Sequence, residues 1–354
     1  MSRRGSMLSE GWSFDGALTF LSEEIMKLRR DFLLGSLLLA SSVLCSGSAS
    51  AQQTPRKLAR IGWVSVLPLA QVRSYLDAFR TGLAAEGYVE GRDIEVLARS
   101  ADGNRERLSV VVDEMVRLKP DVIVTQGAAI FSVRTVTDVP VVYGFSGDPV
   151  AAHLTSSMAR PSQNLTGVSF MAVEMNAKRL DLLRTALPDA KKVVLMGDPI
   201  HSGVDREIAA SQKMARQLGI DLHWVPTHSV QEVSDVLAGL AKEPPDALIV
   251  LPDGVMLESQ KQIAEFASQH RLPAISGWST FAYSGGLFTY GPRLSESFQR
   301  LAYYVARILR GAKPSDLPVE SPTRFELVVN LKTANQIGIK LPASLIALAD
   351  EIIE

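Results

Sequence analysis

The chain is poor in cysteine, in net charge and in the short motifs that enzymes carry. One cysteine, Cys45, occurs in 354 residues, and it lies in an N-terminal segment. A disulfide within the chain is therefore excluded, and the remainder has neither a thiol nucleophile nor a Cys-based zinc site. Lysine and arginine number 37 against 38 aspartates and glutamates, a net charge of −1. That balance offers no electrostatic footprint for nucleic acid or for an anionic membrane surface. The 5 histidines include no H-E-x-x-H, and the step from His223 to His228 is not a helical ligand pair, so they read as solvated or structural. No P-loop occurs, and no G-x-G-x-x-G follows the first apolar run. Gly144-Phe145-Ser146-Gly147 lacks the spacing of a phosphate cradle. Gly277-Trp278-Ser279 starts like a G-x-S-x-G nucleophile elbow, but position 281 is Phe281. Asn164-Leu165-Thr166 matches a glycosylation sequon and reads as a chance match.

Long hydrophobic runs are also missing, with one short exception. Phe32 to Leu44 is apolar over 13 residues, too short for a comfortable membrane span. Lys27, Arg29 and Arg30 precede it, and Ala49-Ser50-Ala51 follows as an A-x-A cleavage pattern. Residues 26–51 thus read as an export signal cleaved after Ala51, with a retained anchor as the alternative. Arg29-Arg30-Asp31-Phe32-Leu33 resembles the twin-arginine consensus. Leu44 before Cys45 argues against lipidation, and translation starting at Met26 fits the position of the basic region. Without residues 1–51 the charges stand at 32 against 33.

What the chain has in quantity is apolar sequence, 46% of it. Beyond Arg60 the runs are IGWVSV (61–66), DIEVLA (93–98), DVIVTQ (121–126), VPVVYGF (139–145), KVVLMG (192–197), LHWVPT (222–227), ALIVLP (247–252) and LPAISGW (272–278). They alternate little between apolar and polar, as strands covered on both faces do. Helical patterns separate them: Val72, Tyr75, Leu76, Phe79 and Leu83 fall at 3.6-residue spacing before Gly87, and Leu108, Val111, Val112, Met115 and Val116 form a second stripe. Others run near 173–187, 204–218, 230–242, 256–270 and 294–310. This predicts an α/β fold with parallel sheets and helices on both faces. Gly- and Pro-containing breaks at 159–170 and 283–293 favour two Rossmann-like lobes over a single eight-unit barrel. The expected division is residues 52–160 with about 286–320 in one lobe, and 161–285 with about 321–354 in the other.

In open parallel sheets ligands bind beyond the carboxyl ends of the strands. The candidates there are Ser65, Gln126-Gly127, Phe145 to Asp148, Gly197-Asp198, Thr227-His228, Pro252-Asp253-Gly254 and Gly277-Trp278-Ser279. Hydroxyls, amides, carboxylates and aromatics in this mixture suit a small polar ligand. Gly147-Asp148-Pro149 and Pro252-Asp253-Gly254 are equally good turn sequences, and Asp148 or Asp198 can simply cap the following helix.

Three stretches resemble a bacterial family of ABC-transporter substrate-binding proteins related to tryptophan and aromatic amino-acid binders. They are FRTGLAAEGYVEGRDIEV (79–96), GDPVAAHLTSSMARPSQNLTGVS (147–169) and LPVESPTRFELVVNLKTANQIGIKLPASL (317–345). The resemblance implies the type I periplasmic-binding-protein architecture: two lobes, three crossovers, a ligand in the cleft and a membrane permease as partner. It also implies acidic, hydroxyl and main-chain groups around a ligand's ammonium and carboxylate, and it aligns Asp148 with the aspartate of a D-P pair. Where many relatives have a Ser/Thr-rich loop, this chain has Gln126-Gly127-Ala128-Ala129, so a hydroxyl donor is missing.

The sequence therefore leads to a monomeric periplasmic solute-binding protein of an ABC importer. It takes a small polar or amino-acid-like ligand, with no catalysis, cofactor, metal or nucleic acid. The expected cleft residues are Ser65, Gln126, Phe145, Asp148, Asp253, Trp278 and Ser279. Asp148 or Asp253 would balance a ligand cation, Phe145 and Trp278 would enclose an apolar part, and Ser65, Gln126 and Ser279 would fix polar groups. Two alternatives remain: an exported hydrolase using Ser279 with a nearby histidine, and a periplasmic sensor using the same cleft.

Overall fold

Side chains along a strand point alternately to opposite faces, so a run that is apolar at every position needs a cover on both sides. The computed structural model, which describes residues 58–135, 138–161, 164–201 and 203–354, provides that cover. Residues 57–354 form one compact unit. The expected signal at 26–51 lies outside the described residues.

Five parallel strands make the first sheet: β1 (Ala59–Ser65), β2 (Ile94–Ser100), β3 (Val122–Gln126), β4 (Val141–Phe145) and β5 (Leu165–Ser169), in the order β2-β1-β3-β4-β5. Ile61, Trp63, Val122, Val124 and Val142 face one core with helices α1 (Arg73–Ala85) and α9 (Leu294–Leu309). Their chain neighbours Val64, Ile123, Val141, Tyr143 and Phe145 face the other, with α2 (Leu108–Arg117) and α3 (Ala129–Val133). Helix α1 presses closely on α9 because Gly82 has no side chain. A Cβ there would lie 2.8 Å from Gln299 Cα and 2.7 Å from Ala302 Cβ. Phe79 and Phe298 are fully buried at this contact, each worth about 1.5–3 kcal/mol of transfer free energy.

The second sheet has the order β12-β11-β10-β9-β8-β6-β7. Its strands are β6 (Lys192–Gly197), β7 (Asp221–Pro226), β8 (Ala247–Val250), β9 (Ala274–Ser276), β10 (Phe288–Pro292), β11 (Phe325–Asn330) and β12 (Glu351–Ile353). Only the β10–β11 pairing is antiparallel. Helices α4 (Ala172–Ala186), α5 (Val204–Leu218), α6 (Val230–Lys242) and α7 (Gly254–Gln269) accompany it, as do the short α8 (Ser279–Tyr283), α10 (Leu331–Ile337) and α11 (Ala343–Ala347).

The sheets divide the chain later than the sequence suggests. Strand β5, expected in the second lobe, pairs with β4 in the first sheet, and β10, expected in the first lobe, pairs with β9 in the second. The chain crosses between sheets after Ser169, after Pro292 and again before Phe325. Both Gly-containing breaks hide a short strand, because Gly167 and Gly291 sit where no Cβ fits. A Cβ at Gly167 would lie 1.9 Å from Tyr143 O, and one at Gly291 would lie 2.0 Å from Gly277 O. Two of the crossing segments are tied together: Ser169 N–H donates to Glu320 O at 2.8 Å, and Arg300 grips the Glu320 carboxylate at 2.6 and 2.7 Å.

Candidate functional site

The carboxyl ends of the two sheets face each other across a cavity of ≈ 70 Å³. The first sheet brings Ser65 from the end of β1, Gln126 from β3, and Ser146 and Phe170 just beyond β4 and β5. Tyr75 of α1 and Arg105 complete that wall. From the second sheet come His201 after β6, Pro252, Asp253 and Leu257 around the start of α7, and Trp278 after β9. Arg105 opens a 3-10 turn, Arg105–Arg107, whose Asn104 cap accepts hydrogen bonds from the Glu106 and Arg107 N–H groups. Tyr75 and Phe170 are backed by Phe298. The Tyr75 ring stacks on it at 4.8 Å, and Phe170 meets it at 6.1 Å.

Beneath the second-sheet wall lies a buried polar network. Asp198 is fully buried and donates its N–H to Asp253 Oδ2 at 2.8 Å, while Asp253 Oδ1 caps α7 by accepting from Met256 N–H at 2.9 Å. Deeper, Asn176 donates to Glu207 Oε2 at 3.0 Å and accepts from Arg179, whose Nε donates to Tyr290 O at 2.8 Å. His201 Nδ1 stands 3.6 Å from Glu207 Oε1. Burial is the main cause of every titration shift here. It pushes Asp253 and Glu207 up to about 7, despite the hydrogen bonds that favour their ionised forms. Burial also pushes His201 down to about 4, so its imidazole is neutral near pH 7, and lowers Arg179 to about 10, which leaves it cationic. Gly277 is the residue against which Arg179 packs, and a Cβ there would lie 2.3 Å from the guanidinium Nη2.

Two ion pairs join the lobes around the cavity. Arg105 Nη2 bonds Asp198 Oδ2, and Arg206 Nη1 of α5 bonds Asp148 Oδ2. Backbone meets backbone at Gly203, where a Cβ would lie 3.2 Å from Gly147 Cα.

Four expected residues, Ser65, Gln126, Asp253 and Trp278, line the cavity; Phe145, Asp148 and Ser279 do not. Phe145 shares a strand face with Val141 and Tyr143 and is turned into the α2/α3 core, edge-on to Phe131 at 5.9 Å. Asp148 spends Oδ1 on the Val150 and Ala151 N–H groups, at 2.9 and 3.2 Å, and Oδ2 on Arg206. It is a turn cap and a cross-lobe clasp at the rim, with no face toward the cavity. Ser279 lies against Glu326 of β11, and none of the histidine hydrogen bonds among the described residues involves it. The Ser65 hydroxyl donates to Leu67 O at 2.8 Å, so toward the cavity it has acceptor capacity only.

Arg105, Tyr75, Phe170 and His201 escape the sequence reading, while Ser146 falls inside the strand-end stretch 145–148 but not among the expected cleft residues. Phe170 follows a strand that was hidden in a break, and Tyr75 counts as one more apolar position of α1. Arg105 follows β2, whose carboxyl end points to the cleft like the others, so the strand-end rule applied there too would have reached it.

The family described as ABC transporter substrate binding protein matches residues 70–353. A tyrosine-binding protein of Clostridioides difficile is 21% identical over 326 residues, 90% of this chain and 93% of that protein. Among solved structures, a conserved domain protein of Vibrio cholerae superposes with a TM-score of 0.78 at 23% identity, covering 84% of this chain and 100% of that one. An ABC domain from Streptococcus pneumonia in complex with L-Trp superposes with a TM-score of 0.77 at 20% identity, again covering 84% and 100%. The fold is the type I periplasmic-binding-protein fold, and among the described residues no helix is long and apolar enough to cross a membrane. With four-fifths of its length inside that match, the chain belongs to the ABC transporter substrate-binding protein family.

Proposed function

We propose that this chain is the periplasmic solute-binding component of an ABC importer, exported by residues 26–51, acting as a monomer without cofactor or catalysis. It captures a small polar or amino-acid-like ligand between its lobes and delivers it to the membrane permease. The observation that carries this reading is the cavity closed between the carboxyl ends of two parallel sheets and bridged by cross-lobe ion pairs. Such a cleft can close around a solute by hinge motion and present a joined surface to a partner. The relatives named for tyrosine and tryptophan make aromatic amino acids the first solutes to test.

The test is a thermal-shift screen of the mature chain against amino acids, peptides, aromatic acids and sugars. A ligand at 100 times its Kd adds about 2.7 kcal/mol to stability by mass action and raises the melting temperature accordingly. A screen in which no compound of any class raises it would refute the reading.

A further inference from the structure

Resting on that binding reading, the structure assigns a ligand class. We propose that Arg105 is the carboxylate-recognising group of the cleft, and that the solute is a carboxylic acid with an aromatic or apolar body, amino acids included.

The charges around the cavity lead to this assignment. Arg105 is the one cationic side chain among the residues that line it, since His201 is neutral. Among the described residues that line the cavity, the one carboxylate, Asp253, already has a hydrogen-bond partner, a main-chain N–H, at each oxygen. Asp198 is covered by Arg105, and Asp148 is held at the rim by Arg206. Arg105 has donors to spare: a guanidinium carries five N–H bonds, and its one hydrogen bond among the described residues uses Nη2 alone. Its side chain is 38% exposed, so the rest of the fork is accessible. Anchoring by a buried aspartate fixes the plane of that fork, the arrangement in which arginine binds a carboxylate through two parallel hydrogen bonds.

The remainder of the wall suits the other end of such a molecule. Tyr75, Phe170 and Trp278 offer aromatic surface, and Phe298 holds the first two in place. Gln126 and Ser146 supply neutral hydrogen-bonding groups. Arg105 belongs to the first lobe and Asp198 to the second, so one residue would both read the anion and tie the lobes shut over it. At the mouth, Asp102, Glu106 and Glu258 flank Arg105, with Asp102 paired to Arg107 at 3.3 Å. They disfavour a second negative charge on the outward side, which points to monocarboxylates.

Calorimetric titration of matched acids and amides tests the assignment: L-tryptophan and L-tryptophanamide, L-tyrosine and L-tyrosinamide, 3-phenylpropionate and its amide. The wild-type chain is expected to prefer at least one acid over its amide by ~10-fold or more, and R105Q to lose that preference, the ratio of the two affinities being the readout because loss of the cross-lobe pair weakens both ligands alike. R105K, which keeps the charge without the fork, should fall between them. The acid–amide comparison on the wild type needs no variant, so a poorly folded R105Q leaves the proposal testable. Equal affinity for acid and amide, or an R105Q variant with full acid preference, overturns it. Binding of neutral sugars with no carboxylate bound overturns it while the solute-binding reading stands. If no compound of any class binds, both fall.

Discussion

The two walls of the cleft are built on opposite principles. The first-sheet wall is neutral apart from Arg105, and its polar lining residues are Gln126, Ser146 and Tyr75. The Tyr75 hydroxyl is buried beside Thr280 without a well-formed hydrogen bond. The second-sheet wall is rich in buried charge, Asp198, Asp253, Glu207 and Arg179, and nearly all of it is consumed internally. A buried polar network in which every member is partnered is rigid, whereas an unspent donor is available to a ligand. On the proposed reading the first wall would supply the polar groups that read the solute, and the second, apart from the Trp278 ring, would hold the shape against which the first closes.

That contrast breaks most visibly at Arg179. Replacing it by methionine keeps much of the volume but removes the donors to Asn176 and Tyr290 O and leaves Glu207 buried beside no cation. Removal of one partner from such a network costs about 3–5 kcal/mol. Urea denaturation of R179M should show that loss, and a change below about 1 kcal/mol would mean that the network does not hold the second wall.

The next effect is a pH dependence carried by the same wall. Glu207 and Asp253 titrate near 7 when folded, against 4.5 and 3.8 as ordinary carboxyls. Between those values the folded chain holds protons that the unfolded chain has released. Their stabilising contribution is complete below the ordinary carboxyl range and is lost as pH rises toward and through 7. His201 acts in reverse. Its folded value of about 4 lies below 6.5, so its contribution is complete above 6.5 and is lost as pH falls toward 4. Two carboxyls against one imidazole leave a net decline in stability between pH 5 and 7. Glu207→Gln should flatten that decline by up to ~1.4 kcal/mol per pH unit, the value for one proton. Denaturation midpoints with an unchanged pH slope would reject this account.

On the opposite wall the same kind of substitution should spare stability and cost affinity. Gln126 lines the cavity at the end of β3 and is not needed by the core. Gln126→Ala is expected to move stability by less than about 0.5 kcal/mol, as a partly exposed position does, while weakening a bound acid by about tenfold through one lost hydrogen bond. Denaturation and titration of the same variant separate the two. A loss of stability larger than the loss of affinity would erase the difference between the walls.

How much of this was legible depends on which physical signal each element carries. Strands β1, β3, β4 and β6 are unbroken apolar runs buried on both faces, and their positions are readable to within two residues. Strands β5 and β10 contain Gly167 and Gly291, where a neighbouring carbonyl takes the place of a side chain, so their composition reads as loop. The strand-end rule leads to Ser65, Gln126, Asp253 and Trp278, all of which line the cavity, because it depends only on knowing where strands end. It could not settle Phe145 against Ser146, since adjacent residues face opposite ways and only the register of the sheet decides which one enters the cavity. Nor could it find the ion pair of Arg105 with Asp198, which joins residues far apart in sequence and exists only after both lobes have formed.

Asp148 and Arg206 provide the smallest and most discriminating comparison, because they belong to both walls and to neither. The Asp148 carboxylate caps its own turn and reaches across to Arg206, and the two side chains are 37% and 58% exposed. An ion pair that open to water contributes about 0–1 kcal/mol, while an Asx cap contributes ~1 kcal/mol. Asp148→Ala removes both, whereas Arg206→Ala removes the clasp and leaves the cap. Arg206→Ala should therefore change stability by less than about 0.5 kcal/mol and weaken a bound solute by no more than ~5-fold, a difference that fades at 1 M salt, where the screening length is only ~3 Å. Asp148→Ala should lose about a further 1 kcal/mol in denaturation with no additional loss of affinity, since its side chain does not reach the cavity. If Asp148→Ala instead abolished binding while Arg206→Ala left it intact, the carboxylate would have to turn inward on ligation, and the division between a reading wall and a holding wall would fail at the rim.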